Sequence, residues 1–379
     1  MNSEKESGES MHGQWIGNFK GTNSGIAILD FDDCGTHYEG HAVAWDESDL
    51  PATSIKITTK NKDKIQNLEV NISALHPYSG DFLSRDEIKK IESEITFPEK
   101  ISLRLELRQR SILVAWSTQI GTKGKAVLHK NRSHKISSYI PNNNIDTWDK
   151  FKNYAIDTEP NRYIFRGQGD VWRLKTSFHR TNRKNLLPYI ELDIPYLHRI
   201  LTSRTKHLFD IRDPLQNGAF WNLIQHHGYP TPLLDWSHSP FVAAFFAFKS
   251  VSKRNKVVGK SRIFMFDRKS WCHDFNQLQK VAIARPHFSI LEALAIENDR
   301  AIPQQSLSSI TNIDDIEGYI MQKENESKKS YLTVIDLPHS ERDEVLRELG
   351  MMGITSASLF PGLDGACEEA KNKFFVSQY

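Results

Sequence analysis

The chain has 379 residues and a mass of 43.6 kDa, which at about 150 residues per domain predicts more than one domain. Its 39% hydrophobic and 25% charged residues are globular proportions and exclude a disordered or collagen-like chain. Lys and Arg number 49 and Asp and Glu 47, a formal charge of +2, so no chain-wide basic field argues for non-specific nucleic-acid binding.

Residues 1–10 are charged or small and predict a mobile tail. From there to residue 128, GIAILDFDD, HYEGHAVAW, TSIKITT, NLEVNISAL, ISLRLELRQ, SILVAWSTQ and GKAVLHK alternate apolar and polar residues at period two. Gly, Asn, Asp or Lys clusters separate them, which predicts an antiparallel all-β domain over 11–128. A charged helical insert, SRDEIKKIESEI, interrupts it. Seven or eight short strands suit a barrel or a sandwich, and the barrel is favoured. The opening GQWIGNFKG resembles the start of lipocalin- and avidin-type barrels, in which a Trp, here Trp15, closes one end. The plainer reading, Trp15 as an ordinary core residue of a β domain, is favoured over a ligand-holding barrel.

Residues 129–144, HKNRSHKISSYIPNNN, are polar, basic and without period, and predict a linker. Beyond it, 145–379 mixes helical and strand patterns and predicts an α+β domain. IDTWDKFKNYAI is a helix with Asp146 as N-cap, RYIFRG a strand, 186–210 helical, and WNLIQHH a helix ending near His227 and Gly228. Leu233 to Trp236 start a strand. SRIFMFD and SYLTVIDL are strands, FSILEALAIEN is helical or extended, and SERDEVLRELGMMG is a helix that Ser340 caps.

Four segments combine polar side chains with constrained backbone. Arg166 ends an apolar strand and is followed by Gly167, Gln168 and Gly169, a geometry that offers a two-point cation to phosphate or carboxylate. The alternative is an Arg tied to an internal carboxylate. His226 to Ser237 pass through Gly228, Thr231 and two prolines into a strand that holds Asp235 between apolar neighbours. His226, His227 and His238 match no metal-ligand spacing. Asn298 to Ser306 contain Arg300 and Gln304, and Leu359 to Gly365 carry aromatic and turn residues that suit docking on the core.

The order F-R-G-Q-G-D, then W-x-L-x-T-S-x-x-R (Trp172 to Arg180), then Q-H-x-G-x-P-T-x-L-L-D-W-S-x-S-P-x-x-A, then N-x-R-x-x-x-Q-x-S, then L-F-P-x-L-D-G resembles the FRG-domain family. Pro232 stands where that family usually has Arg, and Ser306 where it usually has Gly. A more distant likeness is to ADP-ribosyltransferases of the Arg-Ser-Glu type. Ile164 to Gly167, Asp235 to Ser237 with the following apolar helix, and Gln304 to Ser306 are similar to their three motifs.

That resemblance implies an NAD-dependent ADP-ribosyltransferase fold and activity, acting on RNA, DNA or protein as a bacterial toxin or antiphage effector, with an antitoxin or regulatory partner. It places Arg166, Asp235 and Gln304 in catalysis and Arg166, Gly167, Gln168, His227, Gly228, Thr231, Trp236 and Ser237 around NAD. Gln304 stands where a catalytic Glu is usual, which leaves open a nucleotide-binding sensor without chemistry and, beyond it, a hydrolase or nuclease. Cys34, Cys272 and Cys367 lie far apart, with no disulfide framework, no Cys-x-x-Cys and no apolar leader or span. A cytoplasmic protein without a membrane partner is expected.

Overall fold

The computed structural model describes residues 10–48, 50–91, 96–251, 259–279, 281 and 285–376. Except for Ser10, the expected N-terminal tail lies outside them.

The first nine strands are β1 (Gly13–Gly21), β2 (Ser24–Asp33), β3 (Tyr38–Asp46), β4 (Ala52–Thr58), β5 (Ile65–Asn71), β6 (Ser73–Leu75), β7 (Lys100–Arg108), β8 (Ser111–Thr118) and β9 (Lys123–Lys130). They form one antiparallel sheet in the order β5-β7-β8-β9-β1-β2-β3-β4-β6. Only Ile72 separates β5 from β6, so one stretch of chain pairs first with β7 and then with β4. The sheet thereby comes round into a nearly closed barrel, and the single run NLEVNISAL becomes two strands because it bends at Ile72. The charged insert is helix α1 (Arg85–Ile91).

Alternation sorts each strand between two cores. Trp15, Phe19, Leu29, Phe31 and Leu105 face inward, whereas Ile28, Val43 and Trp45 face outward and bury themselves with Ile313 from the second half of the chain. Trp15 sits at the packed end of the barrel, its Nε1 donating to Met11 O at 2.7 Å and Lys130 Nζ lying over its ring.

The second sheet comprises β10 (Tyr163–Gln168), β11 (Leu233–Ser237), β12 (Lys260–Asp267), β13 (Phe288–Leu291), β14 (Ser306–Thr311) and β15 (Leu332–Pro338). It is antiparallel, in the order β13-β14-β11-β10-β12-β15. The helices are α2 (Trp148–Ile156), α3 (Leu186–Pro188), α4 (Ile194–Leu201), α5 (Pro214–His226), α6 (Pro240–Lys249), α7 (Arg268–Asp274), α8 (Ile316–Ser327), α9 (Arg342–Met351), α10 (Ser356–Leu359) and α11 (Leu363–Lys371). Helices α2, α6 and α9 cover one face around Phe151, Phe165, Ala243, Phe248 and Val345. On the other, α7 and α8 enclose Trp236, Phe264, Phe266, Trp271 and Ile320. The segment expected as a linker after β9 is fastened to the α/β region: Asn131 Nδ2 and Ser133 Oγ donate to Asp314 Oδ2, and Ser137 Oγ donates to Glu317 Oε2.

Local expectations are corrected at several ends. Thr147 caps α2, its side chain accepting from Lys150 N, while Asp146 pairs with Lys150 Nζ. A 3₁₀ turn, His339–Glu341, leads into α9, and Ser340 makes no cap. Within 186–210 the helix runs only to Leu201, with a wider π-helical stretch at Tyr189–Asp193, and 202–210 is not helical. FSILEALAIEN keeps only the four-residue strand β13.

Candidate functional site

The two central strands of the second sheet part company. β10 and β11 share one register pair, Phe165↔Ser237, although β10 is fully laddered to β12 and β11 to β14. Beyond that pair Arg166 and Gln168 face Asp235 across a gap, which Arg166 spans by donating from Nη1 to Asp235 O at 2.6 Å. A cavity of about 380 Å³ lies there, walled by Trp172, Phe246 and Phe360 and lined by both strands, the end of α5 and the Arg300 to Ser306 segment.

Its charge is one-sided. Arg166, Arg180 and Arg300 line the cavity, and among the described residues none forms a salt bridge. Among the described residues Arg180 has no side-chain hydrogen-bond partner, and Arg300 donates to His226 O at 3.0 Å while lying over the Phe360 ring. Among the described residues the sole carboxylate in the lining is Asp235, which accepts from Gln225 Nε2. Three guanidiniums against one carboxylate leave a positive surplus that an anion would neutralise. Burial pushes the Arg166 guanidinium down to about 10, with the Asp235 carboxylate pulling the other way. Arg166 Nε and Gln168 Oε1 are both buried without a hydrogen-bond partner, and such orphaned atoms mark places where a ligand or water belongs.

His226 is held by a chain of amides. Asn298 Nδ2 donates to Asn222 Oδ1, and Asn222 Nδ2 donates to Ser308 Oγ. Asn298 therefore presents Oδ1 to His226 at 2.7 Å, which draws the imidazole proton to Nδ1 and leaves Nε2 as the ring's acceptor.

Of the residues expected at the site, Arg166, Gly167, Gln168, Asp235, Trp236, Ser237 and Gln304 come together around this cavity. Several are already engaged: Trp236 Nε1 donates to Ser309 Oγ, Ser237 Oγ donates to Gln304 O at 2.7 Å, and Gln304 Nε2 donates to Leu359 O at 2.9 Å. His227 and Gly228 are exposed and outside the lining. They end α5 in a Schellman turn, with Gly228 at φ +86° and Tyr229 N donating to Ile224 O. Thr231 is buried behind the cavity, where its hydroxyl donates to Gln225 Oε1. His226, Gln225, Arg180, Arg300 and the aromatic walls are also in the lining. The motif pattern contained the arginines, but which of two adjacent histidines turns inward depends on the phase of α5.

The molecule is thus a two-part protein, a nearly closed β-barrel joined to an α/β region that splits its central sheet around a basic cavity. It carries an FRG domain: that family matches residues 161–256, from β10 through α6, and Arg300, Gln304 and Phe360 reach the cavity from beyond the matched span. The sequence matches no curated protein. Among solved structures, a redesigned β-barrel is similar at 13% identity, covering 32% of this chain and 92% of that one, with a TM-score of 0.23. A second, "mFAP0, bound to DFHBI", is similar at 14% identity, covering 32% and 98%, with a TM-score of 0.22. No described helix is long and apolar enough to cross a membrane.

Proposed function

We propose that the FRG-bearing half binds NAD and transfers its ADP-ribose to a macromolecular acceptor, protein or nucleic acid. The observation that carries this reading is the set of three guanidiniums that have no ion-pair partner among the described residues, around one aromatic-walled cavity whose described lining also holds a single carboxylate. A pyrophosphate supplies the missing negative charge, and the rings of Trp172, Phe246 and Phe360 offer stacking surface for adenine or nicotinamide.

In the reaction the bond between nicotinamide and ribose C1′ breaks and nicotinamide leaves with the electron pair. An acceptor O–H or N–H forms the new bond at C1′ and releases its proton. Asp235 stabilises the cationic ribose of the transition state, and His226 Nε2 takes the proton. Gln304, tied through its NH2 to Leu359 O, offers its remaining oxygen to a ribose hydroxyl. Such chemistry suits a toxin or antiphage effector held in check by a partner. Binding without transfer is the second reading, favoured by that same Gln304, a neutral amide where a carboxylate would be the stronger catalyst.

The test incubates the full chain with labelled NAD and mixed cellular protein, RNA and DNA. Nicotinamide release and label in one macromolecular fraction are expected. Arg180→Ala, which removes no hydrogen bond of the fold, should abolish NAD-dependent thermal stabilisation. Asp235→Asn should keep that stabilisation and lose transfer by on the order of 100-fold. Stabilisation by NAD with no nicotinamide released by the intact protein would establish the binding reading; no response to NAD would overturn both.

A further inference from the structure

The inside of the barrel is packed at one end only. Around Trp15, the side chains of Met11, Phe31, Tyr38, Leu107 and Ile112 are buried and fill the interior. Toward the other end, the inward positions of β2, β3 and β9 carry Ala27, Ala42, Ala44 and Ala126, and a cavity of about 370 Å³ remains. Its wall is completed by large apolar residues that include Ile55, Leu103, Val114 and Trp116. Ala27, Ala42, Ala44, Val114 and Trp116 keep partial exposure although they point into the barrel, and all five line the cavity.

The polarity of this space is also ordered. Among the described residues the single ionisable side chain in its lining is Asp46, at the mouth. Thr22 and Asn23 from the β1–β2 turn stand at the same rim, with Thr118 and Thr122, whose hydroxyls bond each other at 2.6 Å. An interior of alanine, branched aliphatic and aromatic surface rejects a charged guest, since nothing inside pairs with it. Cavities of this size with a few polar groups at one end are built to take small molecules.

We infer that the barrel is a second binding site, for a neutral, largely apolar small molecule seated against Ala27, Ala42, Ala44 and Trp116, with an uncharged polar end at the threonine-lined mouth. This site is independent of the FRG cavity and of what that cavity binds.

The experiment titrates the full chain with the neutral fluorophore N-phenyl-1-naphthylamine. A saturable rise in its emission, sensitised by excitation of tryptophan because Trp116 lines the seat, is expected. Ala44→Phe and Ala126→Leu, which fill the space from opposite strands, should each weaken binding by at least about tenfold while far-ultraviolet circular dichroism stays unchanged. If either filling variant fails to fold, the milder Ala27→Val should still weaken binding. The anionic 8-anilinonaphthalene-1-sulfonate should bind less tightly than the neutral probe. Absence of saturable binding, equal affinity in folded filling variants, or preference for the anionic probe would overturn the inference.

Discussion

Arg166 and Gln168 each leave a buried polar atom without a partner at the cavity, whereas Trp236, Ser237 and Gln304 spend hydrogen-bonding capacity on the fold. The expected roles thus divide between groups with free valence and groups that shape the wall. Arg166 was legible as a cation at a strand end; that Asp235 contributes its carbonyl to Arg166 and its carboxylate to Gln225 was not, because those partners come from other elements. Away from the site, His41 and His179 are buried, and burial pushes both imidazoles down to about 4. Each stays neutral in the folded chain while the unfolded chain takes a proton below about 6.5, so stability is lost as pH falls from 6.5 toward 4. Asp30, whose carboxyl burial raises, opposes this trend. His41→Gln, which retains a polar group for Ser54, should reduce the fall in unfolding temperature between about pH 7 and pH 5. An unchanged pH slope would show that His41 does not contribute to acid loss.

Among the elements, the glycines of the F-R-G-Q-G run have a packing explanation. A Cβ on Gly167 would collide with the Ala243 carbonyl oxygen on α6, and one on Gly169 with Ser250 Oγ. Helix α6, rich in alanine, lies this close because both surfaces are small. Gly167→Ala should therefore destabilise by about 1–3 kcal/mol through overpacking. Gly228→Ala, with open space around it but φ at +86°, should cost about 1 kcal/mol from backbone strain alone. Denaturant midpoints at constant m-value check both, and a neutral Gly167→Ala would mean that α6 can shift away. Some helix and strand identities, α2, α5, β10, β12 and β15 among them, were readable from periodicity. Their ends were less so, as at Thr147 and the turn before α9, because caps are set by local backbone geometry rather than by the apolar repeat.

Across the molecule, the barrel and the α/β region share a polar belt that is buried at Gln14 and reaches the surface at His12. Gln14 Nε2 donates to Asn312 O at 2.8 Å and its Oε1 accepts from Asp314 N at 2.9 Å. Asp32 accepts from Lys184 N and Asn185 N, and His12 Nε2 bonds Asn182 O at 2.7 Å. Beside the belt Ile313 enters the outer apolar face of β2 and β3. Gln14→Ala removes both of these buried hydrogen bonds, at a cost of about 1–3 kcal/mol, and should split a single calorimetric transition into two. A single, unshifted transition would mean that water replaces the glutamine at no cost.

Period-two alternation and the spacing of glycine-rich turns were enough to predict a β domain followed by a mixed one, because side-chain direction along a strand is a local property. The F-R-G and L-L-D-W-S segments could likewise be singled out from residue type alone. Three features lay beyond such reading: the parting of β10 from β11 after one pair, the inward turn of His226 instead of His227, and the empty half of the barrel. Each depends on which residues, distant in sequence, stand opposite one another. Strand separation, helix phase and unfilled volume are fixed by packing between elements, and no single segment contains both sides of that contact.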